Sequence, residues 1–203
     1  MGEVVLELHD LVRDFAAAML LVDAMKPQKQ GRRGQPYGVG VGPHEERETI
    51  GMVLAKMTEV FPVRYASNGV ELPYGDGRFC DLWFGEPLTH AVEVKMARLW
   101  QANGKADDTA IKDLLSPYAD DRSALSDCTK LASSGFQCTT SVIIYGFEKP
   151  GANKPLEAVI AAFETLARER VALGRRVQAP LPVLVHPVHA SGGVYGWTVA
   201  SQV

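Results

Sequence analysis

Residues 78–98, RFCDLWFGEPLTHAVEVKMAR, decide how this chain is read. β-Branched and aromatic residues flank the Gly85-Glu86-Pro87 punctuation, which is the pattern of two strands joined by a turn. Strand side chains alternate, so Val92, Val94 and Met96 share one face of the second strand and Ala91, Glu93 and Lys95 the other. In the first strand Cys80, Leu82 and Phe84 are expected on one face, with Asp81 opposite them beside Phe79 and Trp83. Otherwise both segments have the composition of a sheet interior. An Asp, a Glu and a Lys there are costly unless something pairs with them.

A divalent cation is such a partner. Mg²⁺ takes one or two carboxylates and keeps several waters, which leaves room for a phosphate oxygen and an attacking water. Lys95 lies two residues beyond Glu93 on the same face, roughly 6–7 Å along the strand. There it can orient the water or offset charge on a phosphorane-like transition state. Asp81, Glu93 and Lys95 therefore carry the groups that metal-dependent phosphodiester hydrolysis requires. Glu-x-Lys alone is a weak signal, and the competing account is a solvated edge strand. The apolar context, the Asp on a separate strand and the turn between them favour the catalytic one.

Asp81, eleven residues, then Glu93-Val94-Lys95 resembles the motif of the PD-(D/E)XK nuclease superfamily. SALSDCTKLASSGF resembles a segment of its uncharacterised stand-alone bacterial members. Cys80 stands where the motif has proline. The resemblance implies an α/β (α+β) restriction-endonuclease-like fold with an αβββαβ core, that is, a mixed central sheet flanked by helices. It also implies Mg²⁺ dependence, with Mn²⁺ as a substitute, and cleavage of nucleic acid, with DNA expected ahead of RNA. A glutamate from the first core helix often reaches the metal in this superfamily. Glu46 is the candidate, with Glu45 and Glu48 as fallbacks; acids complementing a helix dipole are the competing account. Metal ligands are then Asp81, Glu93 and Glu46, with Lys95 catalytic.

The 203 residues are expected to form a single domain. It divides into an N-terminal helix (1–25), a basic Gly-rich linker (26–42), the core (43–148) and a C-terminal helix with hairpin (149–203). A net charge of −3 neither announces nor excludes a nucleic-acid binder, because binding needs a local patch. Three cysteines without C-x-x-C spacing suggest reduced thiols and a cytoplasmic setting. MGEVVLELHDLVRDF lacks a basic n-region, and the most apolar window, 15–22, is too short to cross a bilayer, so no membrane role is expected.

Apolar residues at Val4, Val5, Leu8, Leu11, Val12, Phe15, Met19 and Val22 give an amphipathic helix over 3–25. Lys26, Lys29, Arg32 and Arg33 then put four positive charges within eight residues. They form either a solvated loop or an arm that tracks a phosphate backbone. Gly38, Gly40 and Gly42 do not make a dinucleotide fingerprint and read as a flexible entry. A helix is expected over 43–60 with Ile50, Val53, Leu54 and Met57 buried, and a strand over 63–72 completes a three-stranded meander. His44-Glu45-x-x-Glu48 lacks the second His of a zincin.

Residues 99–119 read as an irregular insert beside the site. A helix over 123–134 carries Arg122 and Lys130, candidates for contact with nucleic acid along with Lys29, Arg32 and Arg33. Lys130 has an i,i+3 surface pair with Asp127 as its alternative. A buried strand over 139–147, a helix over 156–172 and a hairpin of 182–188 with 194–200 around Ser191-Gly192-Gly193 complete the pattern. His186 and His189, three apart on a strand, are expected to face opposite ways and not to pair on a metal.

Cutting both strands of a duplex requires two copies, which a symmetric homodimer would provide. Two other functions fit the same residues: a catalytically inactive nucleic-acid-binding or scaffold protein on the same fold, and a hydrolase of nucleotides.

Overall fold

The computed structural model describes residues 6–31, 34, 36–107, 109–118, 120–153 and 155–202. Two central strands set its layers: β5 (His90–Arg98) and β6 (Thr139–Glu148) run parallel, in register from His90↔Thr139 to Arg98↔Phe147. Alternation divides their side chains between two cores. Val92, Val94, Ile143, Tyr145 and Phe147 join the core under α1 (Leu8–Ala24) and α2 (Glu46–Val60). Ala91, Ala97, Val142 and Ile144 join the core under α4 (Ala124–Ala132) and α5 (Leu156–Arg168). The protein is thus an α/β molecule with a mixed central sheet between two helical layers. Each large side chain fully enclosed there, such as Ile143, contributes about 1.5–3 kcal/mol relative to exposure.

β3 (Asn68–Pro73) and β4 (Phe79–Phe84) precede β5 in an antiparallel meander, as the hydrophobic runs imply. On the other flank β9 (Ser191–Ala200) pairs antiparallel with β6. Its outer edge is shared by β7 (Ala172–Leu173) and β8 (Val177–Leu181). Between β5 and β6 the chain passes through α3 (Ala110–Leu115) and α4. Among the described residues Cys80, Cys128 and Cys138 are free thiols, and no helix is long and apolar enough to cross a membrane.

Several expectations need correction. Cys80 does not share a core with Leu82 and Phe84. It packs with the α4 layer while they pack with α1 and α2. The register runs evenly on both sides of Asp81, but Glu71, which that register sets opposite it, has φ +60, so the strand pair is distorted where Cys80 and Leu82 part to different cores. The linker is no irregular arm: β1 (Gln28–Gln30) and β2 (Pro36–Val39) form a two-stranded ribbon. Lys29 is tied to Glu48 at 2.6 Å. Arg32 and Arg33, like Val4 and Val5, lie outside the described residues.

The strand expected over 63–72 starts at Asn68, because 61–67 turn on Tyr65 N–H···O=C Phe61 (3.1 Å) and Asn68 Nδ2 donates to Tyr65 O (2.6 Å). The insert after β5 contains α3, anchored by buried Ala110 and Leu114. The terminal hairpin is shifted, since Ser191–Gly193 belong to β9 and β9 pairs with 177–181 instead of 182–188. Those glycines allow close approach, not a turn: a Cβ on Gly192 would sit 1.9 Å from Gly146 O. His186 and His189 are not on a strand, and their rings stack at 4.8 Å. His189 is fixed by a 2.7 Å hydrogen bond between its Nε2 and Trp100 O.

Candidate active site

β4 and β5 pair only as far as Leu82↔Val92 and then separate. Strand N–H groups alternate between edges, so the separation leaves those of Val94 and Met96 without ladder partners, and such groups must be satisfied when buried. Two carboxylates take them. Val94 N–H donates to Asp81 Oδ2 at 2.8 Å, and Met96 N–H donates to Glu46 Oε2 at 2.5 Å. The splayed strands thereby pull an acid from β4 and an acid from the first turn of α2 to one place.

Glu93 and Lys95 project from the α4 face of β5. Glu93 is 3% exposed and accepts from Tyr74 Oη at 2.6 Å. Lys95 Nζ lies 3.2 Å from Asp127 Oδ2 and 3.6 Å from Glu46 Oε1. Lys130 Nζ lies 2.5 Å from Asp127 Oδ1 and 3.3 Å from Glu93 Oε1. Asp127 thus clamps both ammonium groups. The start of α4 is set by a reciprocal cap: Ser126 N–H donates to Ser123 Oγ at 3.2 Å, and Ser123 N–H donates to Ser126 Oγ at 3.1 Å.

Glu46, Asp81, Glu93, Lys95, Ser126, Asp127 and Lys130 wall an open cavity of about 590 Å³, together with Arg78, Phe79, Asp120, Asp121 and Arg122. In its centre four carboxylates (Glu46, Asp81, Glu93, Asp127) face two ammonium groups (Lys95, Lys130), an excess of negative charge when all are ionised. Burial, then the charges of Asp127 and Asp81, push the Glu93 carboxyl from the usual 4.5 up to about 8. Burial also raises Glu46, against the pull of Lys95. Burial alone would lower Lys95, but Asp127, Glu46 and Asp81 outweigh it and raise its pKa, so it stays charged. The Tyr74 hydroxyl is raised as well, by burial and then by Glu93, and remains a donor.

Six residues singled out from sequence (Glu46, Asp81, Glu93, Lys95, Arg122 and Lys130) line this cavity. The fallbacks do not: Glu45 precedes α2 and lies 3.8 Å from Arg98, while Glu48 holds Lys29 and accepts from Glu45 N–H at 3.1 Å. Lys29 is spent in that contact. Among the described residues no three His, Cys, Asp or Glu side chains form a ready cluster for a metal ion.

Two contributors are not assigned to the site from sequence. Asp127 enters there only as the i,i+3 surface partner of Lys130; the pair forms, but Asp127 is buried, three residues after Ala124 and four before Leu131 on the inward stripe of α4. Tyr74 sits in what reads as turn punctuation, and only the fold brings it to Glu93 and stacks it on Phe136, with ring centroids 5.3 Å apart. Set against protein-family models, curated proteins and solved structures, the chain gives no match.

Proposed function

We propose that the protein is a Mg²⁺-dependent nuclease with a restriction-endonuclease-like core, hydrolysing phosphodiester bonds in nucleic acid, DNA ahead of RNA. One observation carries this reading: Glu46, Asp81 and Glu93 from three separate elements meet Lys95 in one polar cavity. The order α2, β3–β4–β5 antiparallel, α4, then β6 parallel to β5 supports the core assignment.

The donor set suits a hard cation. Asp81 Oδ1, Glu46 Oε1 and Glu93 Oε2 accept no hydrogen bond among the described residues, and oxygen ligands with a surplus of negative charge are what Mg²⁺ requires. Asp81 and Glu93 would hold it, with Glu46 auxiliary. The bound ion would supply Lewis acidity and a more acidic water. Lys95, kept charged by Asp127, orients the attacking water and offsets charge building on the phosphoryl oxygens. Lys130 and Arg122 face the same cavity and suit the flanking phosphates. Water adds to phosphorus and gives up a proton to solvent, the P–O bond to the leaving sugar oxygen breaks, and that oxygen takes up a proton from solvent, leaving a phosphate end and a hydroxyl end.

The test is incubation of the pure protein with plasmid, single-stranded DNA and RNA, with and without Mn²⁺. Metal-dependent cleavage is expected, together with a rise in melting temperature on adding Mg²⁺ that Asp81→Ala removes. An inactive binding module would bind nucleic acid without cutting it under any metal. Absence of both cleavage and a metal-induced shift would sink the assignment.

A further inference from the structure

The cavity does not end at its carboxylates. Glu46, Phe79 and Asp81 also line an adjoining groove of about 340 Å³ between α2 and the β3–β4 pair. Its walls include Val70 and Ile50. Phe79, two residues before Asp81, leaves its ring 52% exposed, and Val70 is 50% exposed. Asp120 and Asp121 line both the cavity and a second apolar groove, which runs beside α3. There Tyr118 is 71% exposed, next to Ile111. Each of the two grooves that share residues with the acidic cavity therefore carries an exposed aromatic ring.

The basic side chains point the same way. Duplex binding relies on neutralising many backbone phosphates with free Lys and Arg. Here Lys95, Lys130 and Arg122 line the cavity itself, while outside it Lys29 is engaged by Glu48 and Arg47 by Glu71. The chain as a whole carries −3. Single strands are held in another way, by unstacked bases laid on aromatic faces, and this tolerates a weakly basic surface.

We propose that the substrate is single-stranded nucleic acid, crossing the cavity with one base on Phe79 and another on Tyr118. This rests on the nuclease reading and gives it a substrate class. Both rings are at the surface, so replacing them leaves the cores untouched. Gly51 supplies a second kind of variant: a Cβ there meets nothing within 4 Å, so Gly51→Phe can encroach on the Phe79 groove from α2.

The experiment measures anisotropy of labelled 20-mers, as single-stranded DNA, single-stranded RNA and duplex DNA, with the full chain in EDTA, and then cleavage of each in Mn²⁺. Single strands are expected to bind at least tenfold tighter than duplex. Phe79→Ala and Tyr118→Ala should each lose about tenfold in single-strand affinity, Phe79→Trp should retain it, and Gly51→Phe should lose it. The DNA and RNA arms identify which polymer supplies the unstacked bases. Duplex bound as tightly as single strand, or alanine variants binding like wild type, would overturn the inference. If plasmid is cut but single strands are neither bound nor cut, the inference fails and the nuclease reading stands. If no nucleic acid is bound or cut in any form, the nuclease reading itself fails.

Discussion

Asp14 and Glu93 are both enclosed, at 1% and 3% exposed, yet their surroundings differ in kind. Asp14, on α1, has the guanidinium of Arg64 against one oxygen, Arg13 Nε 3.2 Å from the other and the Tyr65 hydroxyl at 3.1 Å. Asp23, also on α1, accepts from Val41 N–H at 2.9 Å and Val185 N–H at 2.6 Å, and it packs so closely on Gly40 that a Cβ there would lie 2.4 Å from its Oδ1. Each of these acids holds chain segments together. Neither Asp14 nor Asp23 lines the cavity beside β5. Glu93 instead shares a cavity with five other carboxylates, and burial together with the charges of Asp127 and Asp81 disfavours its own. Burial of an acid is therefore not itself a sign of function; burial with insufficient counter-charge, beside open volume, is one.

The sharpest way to break this contrast is Lys95→Ala. Cleavage should fall at least 10²–10³-fold, measured as single-turnover rate, while Mg²⁺ still raises the melting temperature. Retained cutting would remove Lys95 from the chemistry. Asp14→Asn should do the reverse. It takes a charge from a buried pair and should destabilise by about 2–4 kcal/mol, roughly 5–12 °C in Tm, with metal response and pH profile unchanged. A changed metal response would show that the two groups of acids are not independent.

Glu93→Gln separates them by pH. The folded Glu93 carboxyl has its pKa raised to about 8 from the usual 4.5, so in that window the fold holds a proton that the unfolded chain releases. Its stability contribution is full below the lower value and is lost as pH rises toward the upper one. The variant mimics the protonated form, so in EDTA it should melt several degrees above wild type at pH 9 and close to it at pH 5. Equal melting at pH 9 would refute the strained carboxylate. Mg²⁺ binding by wild type at pH 7 should accordingly release a proton, detectable as a buffer-dependent binding enthalpy.

The smallest effect is expected from Tyr74→Phe. Losing the 2.6 Å bond to Glu93 should cost about 1 kcal/mol, roughly 2–4 °C. The pH of proton release should move up, because that bond favours the charged carboxylate. A downward move would contradict the assigned donor.

Much of this arrangement is written in local pattern. The alternation of Val92 and Val94 against Glu93 and Lys95 places those residues because strand period is a property of the backbone, and β5 follows it. The stripe Ile50, Val53, Leu54 and Met57 places α2, and counting back one turn reaches Glu46. Pattern misled where glycine and histidine serve contact instead of turns. Gly192 passes against Gly146, and His186 stacks on His189, neither of which leaves a trace in spacing.

The sequence by itself determined which residues of β5 and α2 face which layer, because side-chain periodicity is local and burial follows it there. It also supplied the acids and lysines in a chemically telling order. Only the tertiary structure decided that β4 and β5 part beyond the Leu82↔Val92 pair, on its Asp81 side, so that Asp81 and Glu46 are held by the backbone of β5. It alone brought Asp127 and Tyr74 to the lysines and to Glu93. Those placements depend on unpaired N–H groups and on charge balance across elements distant in the chain, which no local spacing encodes.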